Sequence, residues 1–219
     1  MGILFPLPFE QALMQNPLMF AIFFTATFFL MGASVKFIDD AFDEKAHSRK
    51  IALILSPLTA ILWAVVMALH PAAALLLTAI TLGVLIKGKI DNIAFVMAVL
   101  CIYVIYFFIG DWKFILEPMY LMPLIIITVG GVLDEVGNDF VDKNQLYKKG
   151  FFGKLVHWFF EYRFVMKIIV FVFALIGTYP MFFFFAFFLW DLGYELVMHY
   201  SKHVLRKRKF YYDKKASSY

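Results

Sequence analysis

The chain contains little of what a soluble domain needs. Only 16% of its 219 residues are charged and 63% are hydrophobic, whereas soluble domains are typically about 25% charged and about 45–50% apolar. No polar stretch is long enough for a separate soluble domain, which usually needs about 50 residues or more. Cys101 is the only cysteine, so no disulfide can form within the chain. These scarcities exclude a disulfide-bonded scaffold and favour a single membrane domain.

Long apolar runs fill most of the chain. A transmembrane helix needs about 20 mainly apolar residues, and seven runs reach or approach that length. They are residues 18–38, 51–69, 71–86, 93–109, 114–133, 165–179 and 181–198. We therefore predict an all-α fold, a polytopic membrane bundle of about seven transmembrane helices. Residues 151–164, which mix aromatic and charged side chains, predict an amphipathic helix at the membrane interface.

The basic residues predict an orientation. With seven spans, Lys113 is the only one of the 20 Lys and Arg residues that falls on the side opposite the others. The positive-inside rule makes the basic side cytoplasmic, so the N-terminus lies outside and the C-terminus inside, in a multi-pass protein of the cell membrane. Within one domain, 1–219, we predict an interfacial segment at 1–17, the bundle at 18–200 and a basic cytoplasmic tail at 201–219. The tail is expected to contact anionic headgroups of membrane lipids, and we expect no nucleic-acid partner.

Acidic side chains recur at helical spacing near the predicted cytoplasmic face. They form three groups: Asp39, Asp40 and Asp43 in "DDAFD"; Glu135, Asn138, Asp139 and Asp142 in "DEVGNDFVD"; and Asp191 and Glu195 in the last apolar run. Like charges three or four residues apart repel each other on a helix, so such pairs make sense where cations neutralise them. Oxygen ligands favour Mg²⁺ or Ca²⁺, and Mg²⁺ is usually held by one or two carboxylates together with waters and substrate phosphates.

These features together predict a site for Mg²⁺ and a diphosphate. The expected metal ligands are the carboxylates of the first two groups, namely Asp39, Asp40, Asp43, Glu135, Asp139 and Asp142. The expected substrate-binding residues are Lys45, Arg49, Lys50, Lys87, Lys89, Asn138, Lys148 and Lys149. Asp191 and Glu195 lie within apolar sequence, where charged residues usually face the interior of a bundle, and we expect them to be the catalytic proton acceptors.

The two acidic motifs resemble those of the UbiA superfamily of intramembrane prenyltransferases. "DDAFD" is similar to the family's NDxxDxxxD motif, and "DEVGNDFVD" is similar to its DxxxD motif. In both cases four spans separate the two motifs. The chain departs from the family at Asp39, where the family has an asparagine, and at His47, where the family has an aspartate. Its second motif has no strict DxxxD, and the chain has two fewer predicted helices. The resemblance implies a Mg²⁺-dependent prenyltransferase that takes an isoprenoid diphosphate and a lipid-soluble acceptor.

Other functions stay open at this point. His199 and His203, with Asp191 and Glu195 on the same helix face, suit a zinc-dependent membrane hydrolase, faintly similar to the hydrolases related to alkaline ceramidases and adiponectin receptors. Asp191 and Glu195 also suit a proton or cation relay in a small transporter. A non-enzymatic membrane assembly protein is the remaining class. If the prenyltransferase interpretation is right, the first and fifth spans should be neighbours, and Asp40, Asp43, Asp139 and Asp142 should face one open pocket with Asp191 and Glu195 in its deeper wall.

Overall fold

A computed structural model describes residues 16–112 and 117–216. The predicted segment 1–17 lies almost entirely outside the described residues, as do Lys113 and the last three residues of the predicted tail. Within the described part the fold is all-helical and contains no strand. The α-helices are α1 (Pro17–Phe42), α2 (Arg49–Leu69), α3 (Pro71–Ile86), α4 (Ile93–Ile109), α5 (Pro118–Lys143), α6 (Gly150–Glu161), α7 (Phe164–Leu175) and α8 (Phe182–Ala216).

Several helices begin where the sequence carries a start signal. Asn16 caps α1, since its side chain accepts a hydrogen bond from the Met19 amide at 3.1 Å. Asn92 caps α4 in the same way. Proline occupies the first turn of α1, α3 and α5, where its missing N–H costs nothing. The apolar runs therefore become helices at positions that local chemistry also favours.

The helices pack into one bundle. Helix α1 packs on α2 and α8, α3 packs on α2 and α5, and α7 packs on α5 and α8. Helix α4 packs on α2. Helix α3 also touches α8, and its segment from Ala72 to Ala79 is entirely buried. The core thus surrounds α3, which explains how a helix of 16 residues can be apolar on all sides.

The outer surface is that of a membrane protein. Four helices, namely α1, α2, α5 and the first 26 residues of α8, are long and apolar enough to cross a membrane, while α3, α4 and α7 are shorter apolar helices. Large apolar side chains are widely exposed on the outside, among them Leu18, Ile54, Phe108, Met122 and Ile176. Soluble monomers rarely expose such continuous apolar surface, so these faces suit contact with lipid.

Three predicted boundaries differ from the structure. The sixth predicted run, 165–179, gives a helix of only 12 residues, because Gly177 adopts a φ of +80° and Pro180 follows. The fifth run continues as helix to Lys143, so the second acidic motif lies on α5 itself. The segment after Tyr200, predicted as a tail, continues α8 to Ala216.

Helices α1 and α8 approach each other closely through two glycines. A Cβ on Gly32 would lie 2.0 Å from the carbonyl oxygen of Trp190, and a Cβ on Gly193 would lie 2.3 Å from that of Phe29. Small residues let membrane helices approach to backbone contact. The two glycines therefore fix where the C-terminal part of α1 lies relative to α8.

Gly193→Ala is expected to lower the midpoint of thermal unfolding in detergent. The added methyl group has no space against a backbone atom, and overpacking of this kind costs about 1–3 kcal/mol. Gly83→Ala is the matched control, because its Cβ would lie 4.0 Å from the nearest atom and alanine favours helix over glycine by about 1 kcal/mol. Equal midpoints for the two variants would contradict this account of the α1–α8 contact.

The surroundings of His70 predict that the fold loses stability in acid. Its Nδ1 accepts a hydrogen bond from the Ala72 amide at 3.0 Å at the start of α3, and its ring packs against Phe20 and Phe183. Burial lowers the pKa of His70 to about 4, below its usual value of about 6.5. The neutral ring stabilises the fold fully above pH 6.5, and this stability is lost as the pH falls through that value towards 4.

We therefore expect the unfolding midpoint of the protein to fall between pH 6.5 and 4 more steeply than that of His70→Asn. Asparagine can cap a helix but does not titrate, so the variant separates the charge of the ring from its capping role. The measurement is thermal unfolding in detergent at a series of pH values. Parallel curves for the two proteins would show that His70 is not responsible.

Candidate functional site

One end of the bundle, here called the acidic end, holds an open cavity of about 490 Å³. It lies between the C-terminal parts of α1 and α5, the α3–α4 connection, the α6–α7 connection and the middle of α8. Its volume is within the range of small-molecule sites, roughly 300–1,000 Å³. All three predicted acidic groups contribute to its wall.

Some of the predicted site residues line the cavity, and others do not. Those that line it are Asp39, Asp43, Glu135, Asn138, Asp142 and Glu195. The prediction that α1 and α5 are neighbours is wrong. Helix α1 packs on α2 and α8, whereas α5 packs on α3 and α7, so the two helices contribute separate walls. The structure therefore joins the motifs through a shared cavity instead of a helix–helix contact.

Asp40 and Asp139 do not line the cavity. Asp40 is only 2% exposed, and it pairs with Lys36 at 2.9 Å. The Asp139 side chain is 62% exposed and pairs with Lys87 at 2.9 Å. With 3.6 residues per turn, Asp40 is turned about 60° beyond Asp43, and Asp139 is turned about 40° from Glu135, away from Asp142. Helical rotation thus separates them from their neighbours in each motif.

Most of the predicted substrate-binding cations also lie elsewhere. Lys89 lines the cavity and pairs with Glu135. Those outside its wall are Lys45, Arg49, Lys50, Lys87, Lys148 and Lys149. Arg49 instead donates to the Phe42 carbonyl at 3.3 Å, and Lys148 donates to the Gln145 side chain at 2.7 Å.

Other cations and acids, not predicted as site residues, line the cavity instead. They are Lys36, Asp91, Glu161, Arg163 and Lys202. Lys36 was detectable in the sequence, because it precedes Asp39 and Asp40 by three and four residues and pairs with both in the structure. Lys202 was assigned to the tail, although it lies on a continuous helix two turns after Glu195.

Arg163 is the centre of the charge network in the inner wall. It adopts a left-handed conformation, with a φ of +50°, between α6 and α7. Its Nε donates to Glu135 at 3.2 Å, and its guanidinium carbon lies 4.6 Å from the centre of the Tyr194 ring. Burial acts to lower the pKa of Arg163, but Tyr194, Glu135 and Asp191 outweigh it and raise the pKa. Arg163 therefore stays charged at the floor of the cavity.

A carboxylate from α5 fixes the turn that carries Arg163. Asp134 is fully buried, and its two oxygens accept hydrogen bonds from the Val165 and Met166 amides at 3.0 and 2.7 Å. These amides are unpaired donors at the start of α7. Asp134 thus caps α7 from another helix, which holds the α6–α7 connection against the cavity.

Asp43 lies in surroundings that favour its protonated form. Partial desolvation, together with the charges of Asp39 and Asp91, raises the pKa of Asp43. Such repulsion among carboxylates is relieved by a bound cation or by a proton. The rim of the cavity near α1 is therefore an electrostatically favourable place for a cation.

The third acidic pair lies deeper. Asp191 is 6% exposed, pairs with Lys167 and lies 3.6 Å from Arg163. Glu195 lines the cavity, and its Oε2 atom is buried without a hydrogen-bond partner among the described residues. The pair predicted to be catalytic is thus divided into an ion-paired acid and an acid with unused accepting capacity.

Two smaller apolar cavities adjoin the charged one. One, of about 80 Å³, lies among α1, α2, α3 and α4, and its wall includes Trp63 and Trp190. The other, of about 100 Å³, lies among α3, α5, α7 and α8. All three share Val35 and Val84 in their walls. A charged cavity and two apolar cavities are therefore neighbours at the acidic end.

Metal-ligand geometry is incomplete in the protein alone. Within the part of the chain that the structure describes, no three His, Cys, Asp or Glu side chains are grouped closely enough to hold a metal ion. The His199 side chain is 68% exposed, and His203 is also exposed. Neither histidine lines the charged cavity.

Comparison of the chain with models of protein families, with curated proteins and with solved structures finds no match.

Proposed function

We propose that the chain is a Mg²⁺-dependent intramembrane prenyltransferase, which transfers an isoprenoid group from its diphosphate to a lipid-soluble acceptor. One observation carries the proposal: the charged cavity shares Val35 and Val84 with two apolar cavities beside it. An isoprenoid diphosphate has the same two parts, a charged head and an apolar tail. The resemblance of the two acidic motifs to those of the UbiA superfamily supports the same activity.

The proposal includes a topology. The chain crosses the membrane of the cell seven times, and α6 lies in the interface. Helix α7 has only 12 residues, so the sixth crossing also uses the segment that follows it, residues 176–181. The N-terminus is outside and the acidic end is cytoplasmic, because the basic residues gather at that end. Labelling of single cysteines introduced at Lys45 and Lys148, in a Cys101→Ser background, tests it: both positions should react from the cytoplasmic side only.

The residues of the cavity fit Mg²⁺ by their chemistry. Its wall carries more carboxylates than cations, with Asp43 and Asp91 near α1 and Asp142 with Asn138 on α5. All of these are oxygen donors, which Mg²⁺ prefers. One or two carboxylates from each wall would hold the ion, and waters and phosphate oxygens would complete its coordination. Mg²⁺, when bound, neutralises the negative charge that develops on the departing diphosphate.

The chain's own cations bind the head of the donor. Lys89, Arg163 and Lys202 line the cavity and are placed to contact the outer phosphate oxygens. In the reaction the bond between C1 of the donor and the diphosphate oxygen breaks, and its electron pair leaves with the diphosphate. Fixed positive charge near that oxygen stabilises the transition state. Trp63 and Trp190 border the apolar cavity with rings 4.9 Å apart, and their faces stabilise positive charge on the allylic group.

The acceptor forms the new bond to C1 and gives up a proton. Glu195 is the better of the two predicted acceptors for that proton, since its Oε2 has no partner among the described residues. Asp191 is held by Lys167 and lies near Arg163, so it positions these cations. This division of roles follows from their contacts.

The test is turnover by the purified protein in nanodiscs that contain total membrane lipid. Labelled geranyl, farnesyl and geranylgeranyl diphosphates are supplied with Mg²⁺ or with EDTA. We expect at least one donor to be consumed with Mg²⁺ only, with release of inorganic diphosphate and transfer of label to lipid. If none of the three is bound or consumed, the proposed function is wrong.

A further inference from the structure

We infer that a groove between α7 and α8 binds the head of a membrane lipid that carries a free hydroxyl group; if the proposed function holds, this lipid is the acceptor. The groove has a volume of about 410 Å³ and is separate from the charged cavity. It is lined by Tyr162, Phe164, Lys167, Phe188, Asp191, Leu192, Glu195, Leu196 and His199.

The outer part of the groove faces the surroundings of the bundle. Phe164, Phe188, Leu192 and Leu196 are each between 41% and 54% exposed. They come from the start of α7 and the middle of α8, two apolar helices whose outer faces suit lipid contact. An alkyl or isoprenoid chain can therefore lie in this part of the groove without leaving the bilayer.

The inner end of the groove is polar and carries charges of both signs. Lys167 pairs there with Asp191, and Glu195 supplies a second carboxylate. Arg163 lies 3.6 Å from Asp191 but outside the groove, and it also pairs with Glu135. A cationic head would lie beside the Lys167 ammonium group, and an anionic head beside the Glu195 carboxylate. An uncharged head is the one that neither group repels.

The unused hydrogen-bonding capacity at this end belongs to an acceptor. Lys167 already donates to the Tyr162 carbonyl and to Asp191. The Oε2 atom of Glu195 accepts no hydrogen bond from the described residues, and His199 Nδ1 is 3.9 Å away, beyond hydrogen-bond distance. A buried carboxylate oxygen without a partner is costly. The Glu195 side chain lines the groove and is 16% exposed, so a hydroxyl group bound there can donate to its carboxylate and reduce that cost.

Glu195 lies between the groove and the charged cavity. It lines both spaces, and Asp191 lines both the groove and one of the apolar cavities. A hydroxyl bound at Glu195 is therefore next to the space assigned to the donor. In the proposed reaction its oxygen bonds to C1 of the donor, the diphosphate leaves with the electron pair of the broken C1–O bond, and the hydroxyl proton passes to Glu195.

The test measures binding without Mg²⁺ or any diphosphate. Hexadecanol with a diazirine in its chain, and the methyl ether of the same compound, are photocrosslinked to the protein in nanodiscs, and labelled residues are located by mass spectrometry. We expect the alcohol to label the Phe188–Leu196 segment about 10-fold more than the ether, because only the alcohol can donate to the charged carboxylate. Glu195→Leu should remove that preference.

Leu192→Trp fills the groove and should abolish labelling of that segment. Leu133→Trp is the matched control, because Leu133 is similarly exposed on α5 and does not line the groove. Equal labelling by alcohol and ether, or undiminished labelling in Leu192→Trp, would overturn the inference. Because no diphosphate donor is present, preferential labelling by the alcohol can occur even if the turnover test fails. Turnover without such labelling would refute lipid binding in the groove and leave the proposed function intact.

Discussion

Asp43→Ala is expected to weaken the Mg²⁺-dependent binding of geranylgeranyl diphosphate by about 100-fold, the scale on which loss of one charge-stabilising group acts in such sites. Asp43 lies on the cavity wall, next to the charges of Asp39 and Asp91. Removing a carboxylate from this group relieves repulsion in the metal-free protein, so the thermal midpoint without Mg²⁺ should stay the same or rise. The measurement is equilibrium binding of labelled ligand to protein in nanodiscs.

Asp139→Ala is the matched control for Asp43→Ala. Both residues belong to predicted metal motifs, but Asp139 pairs with Lys87 outside the cavity wall. We expect its binding constant to change by less than about twofold, as for surface positions away from a site. If Asp139→Ala is as damaging as Asp43→Ala, the cavity is not the binding site, and the ligand set follows the motif instead of the geometry.

Lys167→Met is expected to cause the largest loss of stability, about 3–5 kcal/mol, because it leaves a buried carboxylate without its cation. The Lys167 side chain is 8% exposed and that of Asp191 is 9% exposed. Adding Asp191→Leu to Lys167→Met should recover most of the loss, since an apolar pair often replaces a buried ion pair without penalty. Unfolding in a mixed-detergent titration gives the free energies.

Lys154→Met provides the control for losing a lysine. Lys154 is exposed on α6, and its replacement should change stability by less than about 0.5 kcal/mol. If the double variant is no more stable than Lys167→Met alone, Lys167 stabilises the fold through its bond to the Tyr162 carbonyl and not through Asp191.

The positions of the helices were predictable because apolar runs and start signals act locally. Residues 93–109 form α4 with the predicted bounds, and 71–86 form α3. The short length of α7 was not predictable, because its apolar run continues to Tyr179. The helix ends two residues before Gly177, whose φ is positive. Composition reports how apolar a segment is, but the backbone at one glycine decides where the helix stops.

The acidic motifs predicted that three groups of acids meet in one cavity, but not every residue that lines it. The i, i+4 and i, i+3 spacings predicted one face for Asp39, Asp40 and Asp43, but Asp40 is buried against Lys36 instead. Arg163 could not be found in this way, since its position depends on a left-handed turn and on capping of α7 by Asp134. Long-range contacts of this kind leave no periodic signal in a single sequence.

The central claim is that the charged cavity and the apolar cavities beside it bind one amphiphilic diphosphate. Equilibrium binding of geranylgeranyl diphosphate, inorganic diphosphate and geranylgeraniol, each with Mg²⁺ and with EDTA, tests it most directly. The account predicts that the intact diphosphate with Mg²⁺ binds at least about 100-fold more tightly than either half or than itself with EDTA, because both cavities and the cation contribute to its affinity. Binding of the intact diphosphate that equals that of geranylgeraniol and does not depend on Mg²⁺ would contradict the account.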